Sequence, residues 1–275
     1  MSIVRLLLDW GADPNIPANG NMTALNVANE NGNEDIAKII AKCAIQSDMT
    51  TLESRITSIE HRQKNSIQIE EAAKVTTLIP MERDHPGAFS FFIDNFVTAA
   101  ILEFLDDVWS ILPVAPATDI KKKKNDKPCS LRYYFCDGEN YLSKILSKSI
   151  ASVLNKGDGL DTVDAVIFPH MRFLDYQEPG SVLAPHVDLY KVDRITGKRS
   201  THTFILYLRD CDEGGETALL RELSPDGPSA QHEILAKVHP KRGRILLFPH
   251  ACPHAGMEVI STPKLLLRGE VLIIQ

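Results

Sequence analysis

The chain has few cysteines and no arrangement that would pair them. Five stand in 275 residues, none in a short Cys-x-x-Cys pair. A disulfide framework and a cysteine zinc knot are therefore excluded, and free thiols in a reducing compartment are expected. Long apolar runs are also missing, and no stretch approaches the length that crosses a bilayer. The opening MSIVRLLLDWGADPN has an apolar run too short for a cleavable signal and reaches Asp9 at once. The expectation is no membrane span and a cytoplasmic or nuclear location. Positive charge is scarce too: a net charge of −6 leaves no broad basic face for nucleic acid. The one basic run, Lys121 to Lys124, adjoins Asn125 and Asp126 and reads as a solvated loop. What is present is an ordinary globular composition, long enough for one large or two modest domains with a sizeable core.

Three segments are expected. Residues 1–43 read as helix, turn and helix: Ile3, Val4, Leu6, Leu7 and Leu8 are stopped by Gly11 and Pro14, Thr23 starts a second helix, and Gly32 breaks it. Ile36, Ile39 and Ile40 then share one face. IVRLLLDWGADPN followed by GNMTALNVANENGNEDIAKIIA resembles ankyrin repeats, the first cut short and the second nearly whole. Thr23-Ala24-Leu25-Asn26 departs from that family's usual pattern only at Asn26. So few repeats cannot bury their own faces; the resemblance implies a protein partner for this segment. Residues 44–82 read as a linker with a short amphipathic helix, on the spacing of Met49, Leu52, Ile56 and Ile59.

Residues 83–275 form the third segment. FFIDNFVTAAILEFLDDVWSILP predicts a strand and then a helix capped by Thr98, with Ile101, Leu102, Leu105, Val108, Trp109 and Leu112 as its buried stripe and Pro113 as its end. A second helix is expected from about Glu139 to Leu154. Beyond Asp164 the texture changes to short runs between turns: AVIFPHMRFLDYQ, PHVDLYKV, STHTFILYLRD, GRILLFPH and LLLRGEVLII. Such runs predict a β-sandwich or barrel behind a pair of helices.

The chemistry centres on His186 and Asp188. A single His-x-Asp triplet is an ordinary coincidence in a chain with nine histidines. In a strand, however, side chains at i and i+2 share a face and can reach one ion. An imidazole and a carboxylate suit a divalent metal such as Fe(II), and two His with one carboxylate leave coordination positions open. Candidates for the third ligand are His250 and His254 in LLFPHACPHAG. Pro249 and Pro253 disfavour the helix that a zinc pair at this spacing needs. If the open positions held a 2-oxoacid with a second carboxylate, a cation would be needed at its far end. Lys264 and Arg268 share one strand face for that purpose, with Leu265 and Leu267 on the other. Alternatively, Arg268 forms an internal salt bridge. Arg172 and Arg209 read equally as mouth residues or solvated strand ends.

These parts in this order resemble the Fe(II)- and 2-oxoglutarate-dependent dioxygenases of the prolyl 4-hydroxylase-like group. Tyr176 precedes His186-Val187-Asp188 by ten residues. FILYLRD with Tyr207 follows, then Gly214-Gly215-Glu216-Thr217, the strand from Gly243 to Phe248, His254-Ala255-Gly256, and the basic strand. The resemblance implies a mainly β fold, a double-stranded β-helix or jelly roll with flanking helices, preceded by the short all-α ankyrin-like segment. It implies Fe(II) on His186, Asp188 and His254. It also implies 2-oxoglutarate held by Tyr176, Tyr207 and either Lys264 or Arg268, with bidentate geometry favouring Arg268 slightly. Ascorbate is the expected reductant. The implied reaction consumes O₂ and 2-oxoglutarate and hydroxylates a protein or peptide, proline first among candidates. The family often has Pro where Glu258 stands and Gly where Thr262 stands, so the loop after His254 departs from its pattern. Two rivals are an ankyrin-bearing adaptor with an inactive jelly roll, and a zinc hydrolase. The second lacks a general base and leaves Lys264 and Arg268 unused.

Overall fold

A computed structural model describes residues 4, 23–33, 35–37, 39–40, 52, 54–59, 73–115, 130–155, 163–193, 196–224 and 231–274. Most of the first expected repeat and the run Lys121–Lys124 lie outside these residues. The chain divides into two units, Met1–Arg62 and Gln63–Gln275. No helix among the described residues is long and apolar enough to cross a membrane.

In the first unit, helix α1 (Ala24–Glu30) follows Thr23 and stops where Gly32 takes a φ of +68°, a conformation that glycine adopts without strain. Residues 35–37 and 39–40 are helical again. Ala28, Ala37 and Ile40 are buried together against Val4, Leu25 and Ile36. Further along, residues 52 and 54–59 are helical with Ile56 and Ile59 buried, on the spacing read for the amphipathic helix.

Among the described residues the second unit holds twelve strands and two helices: β1 (Lys74–Ile79), β2 (Ser90–Asp94), α2 (Ala99–Ile111), β3 (Leu131–Cys136), α3 (Tyr141–Leu154), β4 (Asp164–Ile167), β5 (His170–Tyr176), β6 (Leu183–His186), β7 (His202–Tyr207), β8 (Thr217–Leu220), β9 (Ile234–Val238), β10 (Ile245–Pro249), β11 (His254–Gly256) and β12 (Lys264–Ile274). One sheet runs β1-β2-β10-β7-β12-β5-β3, with β4 also on β12; the other runs β6-β11-β8-β9. Every pairing between these strands is antiparallel, as a jelly roll requires. Strand β1 falls within the segment read as linker and pairs with β2 along its length.

The large sheet is covered on both faces, so its central strands read as unbroken apolar runs rather than alternating ones. On one face a single cross-strand row runs Ile93, Ile245, Leu206, Leu267, Phe173, Tyr133. Trp109 of α2 meets Tyr133 edge-on at 6.1 Å between ring centroids, and Phe104 of α2 meets Tyr141 of α3 at 5.5 Å. In the same layer Gly269 is obligatory, because a Cβ there would lie 2.6 Å from the ring of Phe204. The opposite face packs Ile205, Tyr207, Leu246, Phe248 and Leu266 against Leu219 and Val238 of the small sheet. Tyr207 also reaches across, its hydroxyl 2.7 Å from that of Thr217 on β8.

Helix α2 begins as expected, with the Thr98 hydroxyl accepting from the Ile101 N–H at 3.4 Å. Helix α3 begins two residues later than expected, because Asn140 sits in the left-handed region at φ 53°. Its cap is instead Asp137, fully buried, whose carboxylate accepts from the N–H groups of Tyr141 at 2.9 Å and Ser143 at 2.6 Å and from the Ser143 hydroxyl. A carboxylate at a helix N-terminus also meets the positive end of the helix dipole. Asp137→Ala strands these donors in the interior and should lower stability by about 2–3 kcal/mol, with Asp137→Asn losing less. Urea denaturation of the two variants tests this; equal losses would rule out a capping role.

Candidate metal centre and its neighbouring cation

The inner face of the large sheet carries its polar residues in successive cross-strand rows. Thr203 stands beside Glu270. The next row runs Ile205, Arg268, Arg172, Tyr134, and the one after it Tyr207, Leu266, Leu174, Arg132. Last comes Lys264 beside Tyr176. At the strand rise, the four residues from Arg268 to Lys264 separate their backbones by about 13 Å. The two cations therefore serve different places.

At the Arg268 end, His186, Asp188 and His254 come together with their ligand atoms within 4.8 Å of one another. His186 ends β6 and His254 opens β11, and the two are register partners across the pair. Asp188 was expected in the same strand as His186. It lies instead just past the strand end, held by its N–H donating to the His250 carbonyl at 2.9 Å. The two imidazoles have defined tautomers. Nδ1 of His186 lies 2.8 Å from the Ala184 carbonyl, and Nδ1 of His254 lies 2.9 Å from that of Cys252. A carbonyl only accepts, so each Nδ1 carries the proton and each Nε2 presents a lone pair.

Those two Nε2 atoms face Asp188 at 3.7 Å and 3.6 Å. The second contact is not an ion pair in the ordinary sense. Burial, reinforced by the neighbouring His186, pulls His254 down to about 4, so it is neutral at physiological pH. Burial alone would push the Asp188 carboxyl up. The charge of Arg268, with hydrogen bonds from Arg268 and Thr203, outweighs that and holds it well below the usual carboxylate range. Two imidazoles and a carboxylate thus converge on one point, a donor set that a divalent cation would complete. Two His and one carboxylate, with the remaining directions open, are the donors a facial Fe(II) site uses.

The carboxylate is fixed from behind. Arg268 Nη2 lies 2.6 Å from Asp188 Oδ1, and its Nη1 lies 3.0 Å from Glu270. Thr203 donates to Asp188 Oδ2 at 2.6 Å. His250, the other candidate ligand, stands behind Thr203, with Nδ1 3.0 Å from the Thr203 hydroxyl and Nε2 2.7 Å from that of Ser200. Both its nitrogens are engaged, so it orients the threonine rather than joining the donor set. Arg172 reaches Glu270 at 3.4 Å, whereas Arg209 pairs with Asp106 of α2 at 2.7 Å, away from these residues. Thr203 and Glu270 escaped the sequence reading, although counting by twos from Lys264 and Arg268 along β12 reaches Glu270 directly.

Lys264 is the second unusual group. It is 1% exposed, and no carboxylate among the described residues pairs with it. Its ammonium lies 4.5 Å from the centre of the Tyr176 ring, a cation–π contact that offsets only part of the desolvation. Burial therefore pulls it down to about 8. Gly215 makes room for it: a Cβ there would stand 3.1 Å from both the Lys264 stem and the Cys211 sulfur. Gly214, at φ +73°, tucks the same turn against the backbone of Glu258. Tyr207 lies in the same interior, its hydroxyl pushed up by burial.

Residues 171–269 match the family model described as the 2OG-Fe(II) oxygenase superfamily, a span that contains His186, Asp188, His254, Lys264 and Arg268. No curated protein matches the chain. Among solved structures, it is similar to the viral collagen prolyl hydroxylase of Paramecium bursaria Chlorella virus-1 in its 2OG complex (19% identity, 70% of this chain and 100% of that one, TM-score 0.43). It is also similar to a Pseudomonas putida prolyl-4-hydroxylase (16%, 80% and 97%, 0.40). A Trichoplax adhaerens prolyl hydroxylase in complex with a hypoxia inducible factor peptide fragment gives 14%, 82% and 91%, and 0.41. Over that span, about a third of the chain, the match supports an oxidoreductase of the dioxygenase type. The family match does not extend to the first 62 residues.

Two outcomes follow from the geometry. Thr203→Val removes the hydroxyl bonded to Asp188 and should weaken Mn(II) binding by about tenfold, as measured by calorimetry on metal-free protein. Unchanged affinity would reduce Thr203 to a packing residue. Lys264 binds a proton less readily in the folded chain than its ordinary value of 10.5, so between about pH 8 and 10.5 the unfolded chain holds more protons and stability must rise with pH. The burial cost, about 3 kcal/mol at most, is fully present below pH 8. Denaturation of ligand-free protein at pH 7 and pH 10 should show that rise in the wild type and not in Lys264→Met.

Proposed function

We propose that the chain is a hydroxylase of a peptidyl residue in the manner of the prolyl 4-hydroxylases, with Fe(II) on His186, Asp188 and His254 and the far carboxylate of 2-oxoglutarate on Lys264. The observation that carries this reading is the buried, unpaired Lys264 facing the same interior as the three converging donors. A buried ammonium without an anion is costly, and a dicarboxylate reaching from the metal toward it supplies the missing charge. Arg268, the other candidate from the sequence, is a poorer choice because its guanidinium already serves Asp188 and Glu270.

The remaining roles follow from position. Tyr176, whose ring lies beside the Lys264 ammonium, and Tyr207, bonded to Thr217, would line the 2-oxoglutarate. Arg268 and Thr203 would hold the Asp188 carboxylate in one orientation as it binds the ion. The backbone carbonyls of Ala184 and Cys252 would keep both histidines in the ligating tautomer. Iron with 2-oxoglutarate and O₂ supplies the oxidising power: substrate C–H, 2-oxoglutarate and O₂ become substrate C–OH, succinate and CO₂. Two of the four electrons that O₂ takes up come from 2-oxoglutarate and two from the C–H bond. The protein contributes placement, charge and exclusion of water. Ascorbate would return iron to the ferrous state when a turnover miscarries. The first unit, if ankyrin-like, would recruit a protein partner.

Succinate release from 2-oxoglutarate with Fe(II) tests the reaction, and His186→Ala should abolish it. Lys264→Ala should weaken 2-oxoglutarate binding by about 10- to 100-fold, the value of a charge-assisted pair, while Lys264→Arg should not restore it beside Gly215. Calorimetry with Mn(II)-loaded protein separates the candidates. Normal 2-oxoglutarate affinity in Lys264→Ala would return the role to Arg268, and no binding by the wild type would favour an inactive adaptor.

A further inference from the structure

The inner face carries more positive charge than its own carboxylates can answer. Arg268 of β12 and Arg172 of β5 share one row and Arg132 of β3 stands in the next. On the reading above, on which this inference rests, Asp188 serves the metal and Arg268. Glu270 is then shared by two guanidinia, closest to Arg268 at 3.0 Å and reaching Arg172 only at 3.4 Å, and no carboxylate among the described residues pairs with Arg132.

Arg132 is the least satisfied of the three. It sits on the inner face of β3, because its neighbours Tyr133 and Leu131 point to the other side, Tyr133 against Trp109 and Phe173. Its Nε is buried and has no hydrogen-bond partner among the described residues, a donor that a native interior seldom leaves unanswered. Arg172 feels it: burial, then the like charges of Arg268 and Arg132, hold Arg172 below its ordinary value. Strand β3 ends the sheet, so this pair lies on the outermost strands, and Arg172 keeps 28% of its side chain in solvent. Tyr134 stands in the Arg172 row, exposed.

We propose that Arg132 and Arg172 form a receptor for a carboxylate on the substrate, an aspartate or glutamate side chain close in sequence to the residue that is hydroxylated. Two guanidinia offer bidentate, planar recognition of such a group. A peptide rather than a small acid is favoured by the apolar residues exposed around the metal ligand: Val187, Leu189 and Tyr190, which give an extended chain something to lie on.

The test uses the full chain loaded with Mn(II) and 2-oxoglutarate. Its probes are proline-centred peptides, identical but for Glu, Gln or Lys on either side of the proline, with binding followed by calorimetry. The Glu peptide should bind about tenfold more tightly than the Gln peptide, with the Lys peptide weakest. Arg132→Gln should erase the difference between Glu and Gln. Arg132→Glu should turn the preference toward Lys, a reversal that loss of packing cannot produce. Affinity for 2-oxoglutarate should stay within about threefold in both variants, since Arg132 is no part of that site. Equal binding of Glu and Gln peptides, no binding of any of them while 2-oxoglutarate still binds, or a preference that survives in Arg132→Gln overturns the proposal. N-acetylglutamate binding as tightly as the Glu peptide, and losing that in Arg132→Gln, would put the carboxylate on a small molecule and overturn the peptide form. If the wild type takes up no 2-oxoglutarate, the oxygenase reading fails and this inference fails with it.

Discussion

Asp188 must stay ionised in a place that is nearly closed to water, and much of the catalytic half of the molecule is arranged around that requirement. Burial opposes the charge; Arg268 supplies most of what overcomes it. Because Arg268 belongs to β12, this one ion pair ties the end of β6, an outer strand of the small sheet, to the middle of the large one. Burial works against the Arg268 charge in turn, and Asp188 and Glu270 more than offset it. The three groups therefore stand or fall together, and removing one leaves a buried charge without its answer. Thr203 and the His250 behind it add direction to what the ion pair supplies in energy, since a hydroxyl that both donates and accepts selects one carboxylate orientation.

The packing serves this arrangement. The outer row from Ile93 to Tyr133 crosses six strands and fixes their register. In a sheet, register decides which face every side chain takes. A slip of one residue in β12 would put Leu265 and Gly269, or Pro263 and Leu267, where Lys264 and Arg268 now stand. The apolar half of the strand thus does chemical work at one remove, because it keeps the polar half aimed at the site.

Those strand interiors were readable in the sequence, and so was the donor set. STHTFILYLRD, GRILLFPH and LLLRGEVLII each contain a strand, and His186, Asp188 and His254, read together in the sequence, do come together as a candidate donor set. Two kinds of feature were not legible. Strand β6 stops at His186, whereas PHVDLYKV had suggested that it runs on. Val187, Leu189, Tyr190 and Val192 look like core residues in one dimension and are exposed in three. An apolar residue at a binding rim and one in a core give the same letter. The other kind is long-range pairing. Strands β1, β3, β8 and β9 are short, and nothing local in LRYYFC tells that Arg132 and Tyr134 will lie beside Arg172. The choice between Lys264 and Arg268 was open for the same reason: the partners that distinguish them, Asp188 and Glu270 on one side and Gly215 and Tyr176 on the other, come from elsewhere in the chain or from the opposite end of the strand.

Strand β12 shows how one element can divide two tasks. Its inward residues read Lys264, Leu266, Arg268, Glu270. Leu266, buried with Tyr207 and Leu174, puts an apolar step between the two cations and keeps each in its own electrostatic neighbourhood. Were they adjacent, their repulsion would lower both, and Glu270 could satisfy either one. Separated by about 13 Å, they cannot share a counter-charge. Arg268 takes Asp188 and Glu270, whereas Lys264 has no carboxylate in ion-pair contact among the described residues and feels only the more distant charge of Glu216, so burial prevails and pulls it down to about 8. A cation placed so would gain more from a bound anion than Arg268 would, which is why the two ends of one strand suit different tasks.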